Sequence, residues 1–183
     1  MTRPQTDPAR AADLASWTQT LRAQRAAAQD VARLVADTLR VQFPQAAYFV
    51  LKIDYDRDLA TDLFPDSIRD AEGQILTDFE SARLPLLPAT DPLRALWGSH
   101  DPADIFQVRH VLRTLRLSGG DFDDFPEDLR NDDRDDEGYI PCLLLSPQAR
   151  PERWEAKDDD HRERLLRPYS APRPPSGTTR PEA

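Results

Sequence analysis

The most specific chemical spacing in the chain lies in Asp133-Arg134-Asp135-Asp136-Glu137-Gly138-Tyr139-Ile140. Read as a calcium loop, it offers oxygen ligands at positions one, three and five, glycine at six, a backbone carbonyl at seven and an apolar residue at eight. The match then fails. Position nine is Pro141, and position twelve, where a bidentate Glu is required, is Leu144. Asp133, Asp135 and Glu137 thus keep only a residual case as Ca or Mg ligands, and a tight polar turn leading into a strand explains the segment more simply.

A second run, Asp54-Tyr55-Asp56-Arg57-Asp58, also alternates carboxylates. Alternate residues of a continuing strand share a face, so Asp54, Asp56 and Asp58 could converge on one cation. Joined by Asp133 and Asp135, they would resemble the site of a divalent-metal-dependent hydrolase or nuclease. Such a site also needs a base or a phosphate-contacting cation, and Arg57 is the one near in sequence. Repelling carboxylates at a strand end more commonly keep that end solvated and guard it against edge pairing.

Nucleophilic chemistry has less support. Cys142 stands in the apolar run Ile140-Pro141-Cys142-Leu143-Leu144-Leu145, where a free cysteine behaves as a small buried hydrophobe, and no histidine is near it in sequence. A single cysteine excludes an internal disulfide framework and multi-cysteine metal sites. His110 falls off the apolar stripe of its predicted helix, and His100 stands beside a helix cap. No nucleophile elbow, phosphate-binding glycine loop or dinucleotide fingerprint occurs. The expectation is a protein that is not an enzyme and uses no cofactor.

Charge distribution says more than any motif. The 183 residues carry a formal net charge of -9. Residues 121 to 137 hold ten acids against Arg130 and Arg134, a balance of -8, and residues 54 to 80 hold nine against Arg57 and Arg69, a balance of -7. The helical stretches at residues 1 to 43 and 81 to 120 are each +2. This balance argues against non-specific binding to nucleic acid or anionic membranes, which need a basic surface. Lys52 and Lys157 are the only lysines among 24 basic residues. With abundant Ala, Asp and Pro, that usage resembles a high-GC bacterial genome.

The elements that must position these residues follow from periodicity. Asp7-Pro8 has the cap-plus-proline form of a helix start, and Leu14, Trp17, Leu21, Ala28, Val31, Val35 and Leu39 continue it as an amphipathic helix to about Phe43-Pro44. Trp17 is then a core anchor or a homodimer contact. Ala47 to Tyr55 alternate as a strand. Residues 63 to 69 and 74 to 79 flank Asp70-Ala71-Glu72-Gly73 as a hairpin, with Ile68, Ile75 and Phe79 in the core. Leu84-Pro85-Leu86-Leu87-Pro88 reads as an extended connection against the body. A short helix to Trp97 and a longer one from about 102 to 117 follow, the latter buried along Ile105, Val108, Leu112 and Leu115. A helical turn is expected around Pro126 to Arg130, then a last strand over Tyr139 to Leu145, with Pro141 favouring an edge.

The expected fold is α+β: two layers, a small and mostly antiparallel four-stranded sheet in the order α-β-β-β-α-β, with helices packed on one face. Residues 1 to 12 read as a polar tail, 13 to 147 as one domain, and 148 to 183, rich in proline and charge, as a largely disordered tail. No run reaches the ~18 to 20 apolar residues of a membrane span, and no secretory signal is recognisable, so the expected address is cytoplasmic.

If the last strand runs antiparallel to the first, the two acidic segments meet at one end of the sheet. That arrangement suits a non-enzymatic bacterial interaction module, an immunity- or antitoxin-like inhibitor or an adaptor, binding a basic protein through loops 54 to 66 and 121 to 137 as a monomer or homodimer. Candidate contacts are Asp121, Asp123, Asp124, Asp132 and Asp133 with Asp54, Asp56 and Asp58. Phe122 and Phe125 are acid-flanked aromatics that would anchor the partner if exposed, or would fold back on the sheet if not.

Overall fold

Proline at the first helical position leaves no amide proton unpaired, and the first helix, α1 (Pro8–Gln42), opens on Pro8. The computed structural model describes residues 8–54, 62–80, 83–117, 125–131, 142–149, 151–152 and 167–168. Ala28, Ala32, Val35, Ala36 and Leu39 recur at steps of three and four and are all buried, so the C-terminal half of α1 presents one apolar stripe to the core. The helix stops at Gln42, and the Phe43 amide still donates to the Leu39 carbonyl at 2.8 Å before Pro44 ends the pattern.

The N-terminal half behaves otherwise. Leu14 and Trp17 are each 62% exposed, so Trp17 is not a core anchor. A helix of 35 residues is about 52 Å long, and its first half extends past the layer that could cover it.

The sheet consists of β1 (Tyr48–Asp54), β2 (Asp62–Arg69), β3 (Ile75–Asp78) and β4 (Cys142–Leu144), in the spatial order β3-β2-β1-β4 and antiparallel throughout. The β2-β3 turn is set by Asp70, whose Oδ1 accepts from the Glu72 amide at 3.1 Å and the Gln74 amide at 2.8 Å, while Gly73 takes φ 81°. Pro65 is tolerated inside β2 because the β1 register slips there, Val50 pairing with Ser67 and Leu51 with Pro65. Beside it, β3 reaches only Ser67 to Arg69.

Ile68 and Phe79 take their expected core places, but Ile75 is 59% exposed. Its register partner is Arg69, whose neighbour Ile68 faces the core, and it is Leu76 that packs against the core instead.

Two short helices follow, α2 (Leu93–Leu96) and α3 (Ile105–Leu117). Leu84 and Leu87 are buried while Leu86 is exposed, so the proline-rich connection before them does lie against the body. The α3 helix starts later than the proline at 102 suggested. Asp101 and Asp104 form a turn, and the Asp104 carboxylate accepts from the Phe106 amide at 2.9 Å as the cap. Ile105, Val108, Leu112 and Leu115 are buried as expected.

One main core therefore joins α1 and α3 to Phe49, Leu51, Ile68, Phe79 and Leu143 on one face of the sheet. On the reverse face Tyr48, Val50, Cys142 and Leu144 form a second buried cluster with Ala47 and Ala149. Buried polar groups tie the layers. The Trp97 indole donates to Thr38 Oγ1 at 2.8 Å, and the Gln42 amide donates to the Pro85 and Pro102 carbonyls at 2.7 and 3.1 Å. Arg40 donates to the Leu145 and Leu144 carbonyls at 2.7 and 3.2 Å, holding the end of β4 to α1. Within the C-terminal stretch, β5 (Pro151–Glu152) and β6 (Arg167–Pro168) form a separate antiparallel pair that periodicity did not indicate.

Candidate functional site

Each acidic segment is delimited by the strands around it. β1 ends at Asp54 and β2 begins at Asp62, its register partner. β4 pairs antiparallel with β1, Val50 opposite Cys142 and Tyr48 opposite Leu144, so the chain enters β4 at the end of the sheet where it leaves β1. The antiparallel alternative is the one realised, and the end of β1, the start of β2 and the start of β4 share one end of the sheet.

Residues 125 to 131 brace that arrangement. The Leu129 amide donates to the Pro126 carbonyl at 2.9 Å, closing the expected turn. Arg130 bridges Leu143, and the Leu144 amide donates to the Leu129 carbonyl, so this stretch covers the outer edge of β4. The Cys142 amide reaches Asn131 Oδ1 at 3.4 Å. Arg33 on α1 grips Asp128 through both carboxylate oxygens, at 2.9 and 2.7 Å. The Arg33 guanidinium holds the Asp128 carboxyl below the usual carboxylate range, chiefly through that hydrogen bond.

Phe125 is 2% exposed and belongs to the main core. It is removed from the set of surface contacts, because an apolar ring next to a sheet edge gains more from burial than from water. Asp121, Phe122, Asp123, Asp124, Asp132, Asp133, Asp135, Glu137, Asp56 and Asp58 lie outside the described residues, and of Asp54 only the backbone position enters here. Among the described residues no group of three or more His, Cys, Asp or Glu side chains is placed to hold a metal ion.

Cys142 is fully buried, and loss of hydration pushes its thiol up to about 12. At neutral pH it is an un-ionised thiol packed with Tyr48, Val50 and Leu144 on the reverse face of the sheet, which suits the structural role read from its apolar setting.

The structure also contains a cleft that the linear pattern did not reveal, of about 450 Å³, between α1, α2 and α3. Ala28, Val35, Trp97 and Leu115 are its buried surfaces, and Val31, Leu34 and Val111 are half-buried beside them. His100 and His110 border it, both exposed, with ring centroids 6.3 Å apart and planes within 15°. One histidine follows α2 and the other lies in α3. Nine residues lie between them in sequence, and the turn at Asp101–Asp104 that precedes α3 is the connection between them.

Comparison with protein-family models, with curated proteins and with solved structures finds no match to the chain.

Proposed function

We propose that the protein is an acidic bacterial interaction module, working in the cytoplasm, that binds a basic protein surface as an immunity- or antitoxin-like inhibitor or as an adaptor. The observation that supports this reading is the antiparallel pairing of β4 with β1, by which the end of β1 and the start of β4, the strands that respectively precede and follow acid-rich sequence, share one end of the sheet. A concentration of like charge at one end of a molecule steers an oppositely charged partner and raises its association rate. The bracing of residues 125 to 131 by Arg33 and by β4 adds a fixed base between the two halves of the second acidic segment.

A tagged pull-down at low and moderate salt, with EDTA in a parallel sample, identifies the partner. Isothermal titration then compares the wild-type chain with the set Asp123→Lys, Asp124→Lys, Asp132→Lys and Asp133→Lys. The expected result is a stoichiometric basic protein whose capture falls as salt rises and is indifferent to EDTA. Reversal of the four charges should weaken binding by more than about tenfold, roughly 1.4 kcal/mol. Unchanged affinity and salt dependence in the variant would reject the proposal.

A further inference from the structure

The cleft between α1, α2 and α3 differs in charge from the rest of the molecule. None of its lining residues is acidic, and its polar members are Gln24, His100, His110 and Thr114. The surrounding sequence agrees. Residues 93 to 117 carry Arg94, Arg109, Arg113 and Arg116 with the two histidines against Asp101 and Asp104, of which Asp101 is paired with Arg83 and Asp104 caps α3. On α1, Asp30 is the only acid between positions 14 and 36, and it does not line the cleft. In a chain of net charge -9, this is a region of opposite sign built around an apolar hollow.

We infer that this cleft binds a small anionic amphiphile, an apolar chain or ring system of metabolite size whose acidic head group sits at the His100–His110 border. Its volume of about 450 Å³ lies within the roughly 300 to 1,000 Å³ typical of small-molecule sites. The chemistry of the walls matches that class: apolar side chains over the interior and a few polar groups at one place. Each imidazole presents at least one N–H donor, and two near-parallel rings 6.3 Å apart can both reach one carboxylate. Trp97 is held in place by its hydrogen bond to Thr38, so the floor is formed before any ligand arrives. A second copy of the chain is the competing occupant, because α1 leaves Leu14 and Trp17 exposed on the same helix. It is disfavoured here by charge, since both surfaces of such a pair would bring arginines together.

Isothermal titration of the full chain with decanoate, decanol and decyltrimethylammonium tests the assignment, with sedimentation velocity run on the same samples. Decanoate should bind one to one, and decanol about tenfold or more weaker, as expected when a charge-assisted hydrogen bond is replaced by a neutral one. Decyltrimethylammonium should bind weakest. Replacing both histidines, His100→Gln with His110→Gln, should bring decanoate and decanol to within about threefold of each other. Thr114→Trp, at an exposed position beside the cleft, should block decanoate without disturbing the core, and Val111→Trp should do the same from a half-buried wall. Trp17→Ala should leave binding unchanged. Absence of saturable decanoate binding, equal binding of the three probes, or binding indifferent to both blocking variants would each overturn the inference. So would a dimer that dissociates in Thr114→Trp, which would make the cleft a contact between copies.

Discussion

At the scale of single residues, buried groups with one defined partner give the clearest consequences. Trp97 donates its only side-chain hydrogen bond to Thr38, and both are buried. Thr38→Val keeps the shape and removes the acceptor, so it should cost about 1 to 3 kcal/mol in urea unfolding, with Thr38→Ser recovering most of the loss. Phe125→Ala should cost more, about 3 to 5 kcal/mol, because its ring lies in the main core. Cys142 adds a pH dependence of defined sign. Its thiol sits near 9.0 when unperturbed and at about 12 when buried, so folding favours the protonated form. The stabilisation is complete below pH 9 and is lost as pH rises towards 12, at about 1.4 kcal/mol per unit. The stability difference between the wild-type chain and Cys142→Ala should therefore shift by that slope above pH 9. A difference that stays constant to pH 11 would contradict the burial.

At the scale of elements, α1 divides into a part that holds the fold and a part that does not. Leu39 is buried and Trp17 exposed on the same helix. Leu39→Ala should destabilise by about 2 to 5 kcal/mol, and Trp17→Ala by less than about 0.5 kcal/mol. Amide exchange should follow the same division, with residues 13 to 26 exchanging faster than 30 to 42. Periodicity could not draw that line, because Leu14, Trp17 and Leu21 repeat at the same three- and four-residue steps as Ala28, Val31 and Val35, and spacing does not report how far the opposing layer extends. The strand pairing was legible for the opposite reason. Asp70 and Gly73 carry turn chemistry that fixes the hairpin locally. The inward choice of Leu76 over Ile75 was not legible, since a slip of one residue at a bulge exchanges faces. The acid-rich segments were visible as charge, but whether the end of β1 and the start of β4 share one end of the sheet depends on the direction of β4, a long-range pairing that no local signal specifies. The histidine pair beside the helical cleft was hidden for a different reason: its approach depends on the turn at Asp101–Asp104 between α2 and α3 rather than on any periodic spacing.

At the scale of the whole molecule, the separation of charge along the sequence is the property on which the proposed function rests, and it has a consequence for stability. The helical stretches at residues 1 to 43 and 81 to 120 are each +2, while residues 54 to 80 and 121 to 137 are -7 and -8. Concentrating acids in this way destabilises the folded state by mutual repulsion unless a cation or a basic surface faces them. Asp54 and Asp62 are register partners at the end of β1 and the start of β2, and as a general rule like charges directly opposed across two strands disfavour pairing by a few tenths to about 1 kcal/mol. Two results should follow in the isolated protein. Asp54→Asn should raise stability by that amount in low salt, and the gain should shrink as sodium chloride is raised to about 0.5 M, where screening reduces the repulsion in the wild-type chain. The melting temperature of the wild-type protein should likewise rise with salt. In the complex with a basic partner the sign should reverse. If the proposed basic partner docks at this end of the sheet, Asp54→Asn should weaken binding and added salt should loosen the complex while it tightens the free fold. A variant that stabilises the free protein and leaves the affinity for its partner untouched would mean that the acids at this end of the sheet serve solubility alone.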